Sequence, residues 1–246
     1  MNEEDNLKLT QYVAEGAKLF NQFGMDLLNQ GQHKECQKLF GNVLTLLKRF
    51  HGHQIHSLIG LTLNNLSCSY KRNGQIEEAQ KALTKALEIQ ALAEDQVVDG
   101  QNPVFEKSQR DGDDRFNDSP RNSNNEQALT ELNLCAIYSQ QGDHMKAKMY
   151  AHSSIYKLKQ ELEHMKAQIQ LLQSRDADVS VELLNSAREK QSLCAIAHYN
   201  LGSQQEFLKE YPKALESYRQ ALILEKTKND FQGLRAVAPS PLINEF

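Results

Sequence analysis

The sequence has no excess of basic residues: its 246 residues include 28 Lys and Arg against 32 Asp and Glu, a formal net charge of -4. A chain without a basic field gives little support to nucleic-acid binding, which depends on neutralising phosphates. Long hydrophobic runs are also missing, because no stretch of 18 apolar residues occurs. The first residues, Met1 to Asn6, lead into charged residues rather than a signal-peptide core. These absences favour a soluble, cytoplasmic protein without a nucleic-acid partner or membrane insertion.

Cysteine is scarce, and its four copies are far apart. Cys36, Cys68, Cys135 and Cys194 fall on apolar helical positions and show no close metal-ligand spacing. We interpret them as reduced, buried side chains, with a disulfide or metal role as the alternative. Three histidines lie within residues 51–56, but no carboxylate or cysteine adjoins them to complete a zinc site. We therefore expect no metal.

Motifs that carry catalysis are also missing from the sequence. There is no glycine-rich phosphate loop, no GxSxG elbow and no HExxH pair. Carboxylates and histidines are present, but they are scattered over helical surfaces. The sequence therefore predicts a protein that is not an enzyme, with no catalytic residues and no cofactor.

What the chain does contain is a pair of amphipathic segments at residues 61–90, joined at Gly74. Apolar residues recur in both segments at spacings of three and four, which is typical of helices. Gly74 stands between them, where a glycine can adopt the positive φ that ends a helix. The buried stripes are predicted at Leu63, Leu66 and Tyr70 in the first segment and at Ala79, Leu83, Ala86 and Leu87 in the second.

The same arrangement occurs three more times in the sequence. The copies are Phe23-Gly24, Leu27, Gly31, Cys36, Phe40 and Val43; Leu134-Cys135, Tyr138, Gly142, Ala147, Ala151 and Ser154; and Leu201-Gly202, Gln205, Ala214, Tyr218 and Ala221. This order of large, small and aromatic residues resembles the tetratricopeptide repeat, a helix-turn-helix unit of 34 residues. The small residues let the two helices approach closely. The resemblance implies an all-α, right-handed superhelix (an α-solenoid) with a concave groove.

The first two copies are longer than a minimal repeat. Gly24 and Ser67 are 43 residues apart, and the extra length includes a connection with glycine and histidines at residues 50–56. This longer form, followed by LTLNNL and ending in ALEIQ, is similar to the repeats of kinesin light chains. We interpret the likeness as a repeat subtype, which extends over repeats one and two.

Two insertions separate the later copies. Residues 94–126 are rich in Asp, Asn and Ser without periodicity, so they are predicted to be a disordered loop, in which Ser119-Pro120 could be a kinase site. The second insertion has coiled-coil-like spacing and predicts a helical hairpin at about 158–193, either a self-packed spur or a partner-binding arm. The expected organisation is a helical lead-in at 1–16, repeats one and two at 17–93, repeats three and four at 127–228, and an irregular tail at 229–246.

A row of amide side chains is the strongest functional feature. Asn65, Asn133 and Asn200 each stand one residue before the leucine of the repeat pattern, and Gln22 takes this position in the first copy. The resemblance to kinesin light chains and to O-linked N-acetylglucosamine transferases implies that these residues bind the backbone of an extended peptide. An amide offers both a donor and an acceptor, as a peptide bond does. The alternative is that asparagine here only hydrogen-bonds within the array.

Neighbouring residues would set the selectivity of this groove, and they are largely neutral. The predicted groove residues beside the row are Asn21, Asn64 and Tyr199. Lys18 is the only cation at a groove position that could clamp carboxylates, so capture of an acidic chaperone terminus is disfavoured.

The sequence therefore predicts a non-catalytic scaffold or adaptor that binds an extended segment of a protein partner. The alternative is a structural component of a cytoskeletal or ciliary assembly that uses convex faces and the hairpin.

Overall fold

Eight α-helices account for most of the residues that the computed structural model describes, which are 3–98, 122–175, 177–227 and 236–237. The chain divides into unit 1, Met1–Gln141, and unit 2, Gly142–Phe246. The predicted all-α class is confirmed. No helix among the described residues has the length and apolarity needed to cross a membrane. The helices are α1 Glu3–Asn29, α2 His33–Leu47, α3 His53–Arg72, α4 Ile76–Val98, α5 Asn122–Gln140, α6 His144–Ser174, α7 Val181–Phe207 and α8 Tyr211–Thr227.

Unit 1 consists of the helical pairs α1–α2 and α3–α4, followed by α5. Each pair turns at a glycine with positive φ, +77° at Gly31 and +75° at Gly74, as predicted for Gly74. Gly24 on α1 faces the ring of buried Phe40 on α2, so the missing Cβ is what allows these two helices to approach. Helices α2 and α3 pack against each other, and so do α4 and α5.

The range expected as a helical lead-in, residues 1–16, lies on α1, which continues from Glu3 through the first repeat. Leu7, Leu9 and Tyr12 on this part of α1 are exposed. Ala14 and Ala17 are buried. The first half of α1 therefore buries small residues rather than these large ones.

Helices also extend into the range predicted as a loop, 94–126. Helix α4 continues to Val98 and α5 begins at Asn122. Glu94 and Gln96 at one edge and Glu126 at the other are good helix formers, which extend a helix once its nucleus is packed. Residues 99–121, with Ser119, lie outside the described residues.

Unit 2 is dominated by two long helices, α6 with 31 residues and α7 with 27. The hairpin expected at about 158–193 falls on the end of α6 and the beginning of α7. Its apolar core joins Ile169 to Val179, Leu184 and Ala187. Ser180 caps α7 by accepting a hydrogen bond from the Leu183 N–H at 3.2 Å.

Two short strands accompany this hairpin. Strand β1, Val179–Ser180, pairs in parallel with β2, Ala236–Val237. The sequence analysis assigned 229–246 to an irregular tail and did not foresee this pair. Two residues are too few to show the alternation that identifies a strand.

Helix α8 completes unit 2 by packing on α7. Gly202 of α7 faces the ring of Tyr218, and Ala214 and Ala221 are buried between the helices. The turn before α8 contains no glycine, and Lys209 takes its left-handed conformation with φ +61°.

Candidate functional site

An ordered chain of hydrogen bonds joins α1 to α3 in unit 1. It begins at Thr62, whose hydroxyl donates to the Leu58 carbonyl at 2.7 Å. The Asn21 Nδ2 donates to the Thr62 Oγ1 at 2.9 Å and to the Ala17 carbonyl at 2.9 Å. Both amide protons of Asn21 are then used, so its Oδ1 is left as the acceptor. That oxygen accepts from the Asn65 Nδ2 at 2.9 Å.

A second chain of the same kind joins α3 to α5. The Thr130 hydroxyl lies 2.9 Å from the Glu126 carbonyl and 3.1 Å from the Gln90 Oε1, the two acceptors available to it. The Asn64 Nδ2 donates to the Thr130 Oγ1 at 2.5 Å. The Asn64 Oδ1 in turn accepts from the Asn133 Nδ2 at 3.0 Å. We call each of these chains, from threonine through buried asparagine to half-buried asparagine, an amide relay.

The relays fix the orientation of Asn65 and Asn133. Each is half-buried, and its amide nitrogen is directed at the neighbouring helical pair. Neither Oδ1 accepts a hydrogen bond from the described residues, and neither is among the buried atoms without a partner. Two carbonyl oxygens are thus held in place and remain open to a donor such as a peptide N–H.

The relays give different roles to the residues predicted for the groove. Asn21 and Asn64 are buried, and their Oδ1 atoms accept hydrogen bonds from the outer amides of Asn65 and Asn133. Gln22 is exposed on α1 and has no relay, because Leu19 stands where Thr62 and Thr130 stand in the next two copies.

The remaining predicted residues, Asn200 and Tyr199, belong to unit 2. Asn200 is half-buried, and its backbone carbonyl accepts from the Gln204 Nε2 at 3.4 Å. The exposed Tyr199 ring lies 5.4 Å from the ring of Tyr218. The relay threonine is replaced here by Ala197, so Asn200 has no support of the kind that fixes Asn65.

Sequence analysis missed the two threonines on which the relays depend. The signal was available, since Thr62 and Thr130 are 68 residues apart, the separation that also relates Asn65 to Asn133. A threonine on an otherwise apolar stripe is easily taken for a core residue of modest size, and both are fully buried.

Unit 2 buries an ion pair and a histidine. The Lys190 ammonium lies 2.9 Å from the Glu161 carboxylate, and both side chains are at least nine-tenths buried. Burial raises the pKa of Glu161, against the lowering effect of Lys190. Burial, with Lys159 and His152 nearby, lowers the pKa of His198 to about 4. Neither ring nitrogen of His198 has a hydrogen-bond partner among the described residues.

The cysteines pack as small apolar residues. All four are free thiols; three are buried and Cys68 is partly buried. Burial raises the pKa of Cys135 to about 11, which keeps the thiol protonated and unreactive. Within the described ranges, no three His, Cys, Asp or Glu side chains cluster closely enough to hold a metal ion.

Comparison with known proteins locates the repeats. The model of the tetratricopeptide repeat family matches residues 17–91, and no curated protein matches the sequence. Among solved structures, BtubC (BKLC) from P. vanneervenii is similar with 15% identity and a TM-score of 0.46, covering 99% of this chain and 94% of that one. The MamA protein is similar with 14% identity and a TM-score of 0.35, covering 92% and 99%. Such low values do not transfer a function to this chain.

Proposed function

Because the chain carries tetratricopeptide repeats, located by the family match at residues 17–91, we propose that it is a non-catalytic scaffold that binds an extended segment of a protein partner. The amide relays of unit 1 carry this proposal. They place two amide oxygens, on Asn65 and Asn133, at equivalent positions of successive helical pairs. The match is to the general repeat, so the likeness to kinesin light chains stays a prediction.

The relays define the chemistry of the ligand. The open groups of Asn65 and Asn133 are acceptors, so the ligand supplies donors, and backbone N–H groups of an extended strand recur at a regular spacing. Backbone recognition of this kind is independent of side chains. Since the amides are already oriented, binding loses little side-chain entropy.

The alternative is that these asparagines only hydrogen-bond within the array. Each outer amide uses its nitrogen within the array, and its oxygen accepts no hydrogen bond from the described residues, which supports a role in binding beside the internal one. Removing Asn65 or Asn133 deletes the outer amide of a relay. Removing Asn21 or Asn64 deletes the inner amide that holds the outer one in place.

The test is a peptide display library selected against the full chain, followed by fluorescence anisotropy with the selected peptides. The double variant Asn65→Ala/Asn133→Ala should bind about 5- to 150-fold more weakly, since each hydrogen bond contributes about 0.5–1.5 kcal/mol. Asn200→Ala is the matched control and should bind as the original chain does. Unchanged affinity in the double variant, with helicity intact by circular dichroism, would refute the proposal.

The alternative, a structural component of a cytoskeletal or ciliary assembly, rests on the hairpin of unit 2. Leu171 near its end is exposed, while the ion pair and apolar core hold the two helices together. Leu171→Glu changes this surface without touching the core. If that variant lost incorporation into a cellular assembly while peptide binding persisted, the structural role would be favoured.

A further inference from the structure

We propose that copies of this chain associate head to tail, with α1 of one copy packing on the outer side of α7 and α8 of the next. This inference concerns two surfaces apart from Asn65 and Asn133. We define the leading face as Tyr12, Phe20 and Phe23 on α1. We define the trailing face as Tyr199 on α7 with Tyr211, Leu215 and Leu222 on α8. All seven side chains are large, apolar or aromatic, and exposed.

The positions of the leading face are buried in the second copy of the repeat. Phe23 is 54% exposed, whereas Leu66, 43 residues later, is 7% exposed, and Leu134 and Leu201 are also buried. The same shift of 43 residues relates Tyr12 to Ile55 and Phe20 to Leu63. Both of these α3 residues are buried.

The cause of this difference is a missing neighbour. Helix α1 has its own second helix, α2, just as α3 has α4. Helix α3 also packs on the preceding pair through α1 and α2, and no preceding pair exists for α1 among the described residues. The leading face is therefore the surface with which a first helix packs on the pair before it.

The trailing face corresponds to the surface with which other pairs contact the pair that follows them, not the pair that precedes them. Leu215 directly follows the small residue Ala214, and the residues in the same place in the other copies all bond to the pair that follows them. Gln37 donates to the Gln75 Oε1 at 3.0 Å, Gln80 to the Tyr138 hydroxyl at 3.1 Å and Lys148 to the Glu210 carboxylate at 2.6 Å. Leu215 has no following helical pair among the described residues and is 71% exposed.

The other three residues of the trailing face also correspond to residues that are buried or that hydrogen-bond to a neighbouring pair in other copies. Leu222 is exposed, whereas Leu44 and Ile155, its counterparts in the first and third copies, are buried. Tyr211 corresponds to His144, whose Nδ1 lies 2.9 Å from the Gln204 Oε1 of the following pair. Tyr199 corresponds to the relay supports Asn21 and Asn64. The trailing face is thus the surface that receives a first helix.

The two faces are the separated halves of an interface that the chain already forms internally, as between α2 and α3. At the position of Leu215 the chain has an apolar residue where the internal joints use Gln or Lys, which suits the aromatic residues of α1. A second copy supplies the required helix, whereas β2 of the same chain lies against β1. Since the two faces differ, the contact is heterologous and each copy keeps one free face.

Sedimentation velocity of the full chain tests the proposal, with one variant for each face. The weight-average mass of the original chain should at least double between about 1 μM and about 100 μM, a range suited to a small apolar interface. Phe23→Glu removes the leading face and Leu215→Glu removes the trailing face, so each variant alone should remain monomeric. Mixed together, they should form a 1:1 dimer that does not grow, because one intact joint remains.

Other outcomes would overturn the proposal. A monomeric original chain at the highest concentration refutes it. Dimers of Leu215→Glu alone mean that leading faces pair with each other, and dimers of Phe23→Glu alone mean the same for trailing faces. Met149→Glu is the matched control, since Met149 is exposed and charged residues occupy its place in the other copies (Lys38, Lys81 and Glu216). If Phe23→Glu lost helicity, the more exposed Tyr12→Glu would replace it.

Discussion

Units 1 and 2 share one pattern of helical pairs but have different polar interiors. The relays that join the pairs of unit 1 consist of uncharged groups, hydroxyls and amides. Unit 2 buries an ion pair between α6 and α7, and it buries His198, whose ring nitrogens have no hydrogen-bond partner among the residues that the structure describes. The repeat pattern therefore specifies helix packing and leaves the polar chemistry of the interior free to vary.

Neutral relays and buried ion pairs differ in their desolvation cost. A buried neutral relay loses little on leaving water if every donor is satisfied, and its strength does not depend on pH. A buried ion pair pays a large desolvation cost, and losing one partner leaves an uncompensated charge. In unit 2 the pair joins Glu161 of α6 to Lys190 of α7, the two longest helices of the unit.

The largest expected effect comes from breaking that ion pair. Glu161→Leu leaves the Lys190 ammonium buried without its partner, so the free energy of unfolding should fall by about 3–5 kcal/mol. The double variant Glu161→Leu/Lys190→Met should recover most of the loss. Urea denaturation followed by circular dichroism measures both.

The exposed pair Lys166–Glu163, with 3.2 Å between its charged atoms, provides the control. Glu163→Leu should change the free energy of unfolding by less than about 1 kcal/mol. Equal losses at Glu161 and Glu163 would show that burial does not distinguish the two pairs.

The next effect concerns pH. Histidine in the unfolded chain has a pKa of about 6.5, whereas burial lowers the pKa of His198 to about 4. As the pH falls from 6.5 to 4, the unfolded state takes up a proton that the folded state does not, so stability is lost in this window. His198→Leu should abolish this contribution, which reaches up to about 3 kcal/mol.

Unfolding free energies at pH 7.5 and pH 4.5 test this. The stability of the variant relative to that of the original chain should rise as the pH is lowered. The charged neighbours Lys159, His152 and Glu216 are present both in the original chain and in the variant. The difference in pH dependence between the two proteins therefore reports on the imidazole of His198. His51→Leu, at an exposed position, is the control. An equal pH dependence in the original chain and in His198→Leu would contradict the assignment.

The smallest effect compares the close approach of helices in the two units. In Gly24→Ala the new Cβ would lie 2.4 Å from the Phe40 Cε1, and Phe40 is fully buried, so the variant should lose about 1–3 kcal/mol. In Gly202→Ala the Cβ would lie 2.8 Å from the Tyr218 ring, which is only half-buried and can move. Its net change should be close to zero.

Gly41→Ala on α2 gives the reference value, because no atom lies within 4 Å of its Cβ position. That variant should gain about 0.5–1 kcal/mol from helix propensity alone. Thermal unfolding of the three variants ranks them. Gly202→Ala as damaging as Gly24→Ala would mean that Tyr218 is held as rigidly as Phe40.

Much of the fold could be predicted from the sequence, because local period and steric size determine it. The turn at Gly74 and the burial of Leu66, Ala79 and Leu83 follow from residue spacing alone. The exposure of Phe23 does not, since burial at this position depends on a preceding helical pair, and the described residues include none before α1.

The candidate site was predicted only in part. The positions of Asn65 and Asn133 followed from the repeat pattern, but the direction of each hydrogen bond did not. That direction depends on Thr62, whose hydroxyl is committed to the Leu58 carbonyl and can only accept from Asn21. Periodicity shows which residues share a face and contains no information about which atom donates.

Helix α3 has a consequence for how such a chain could be lengthened. It carries both halves of the relay, Thr62 and Asn65 toward the preceding pair and Asn64 toward the following one. Helix α1 has Leu19 in place of the threonine, and α5 has Leu132 in place of the inner asparagine. The pair α3–α4 is thus the module of unit 1 that could be duplicated in tandem with the same bonding at each new joint, whereas duplicating either neighbour would end the series.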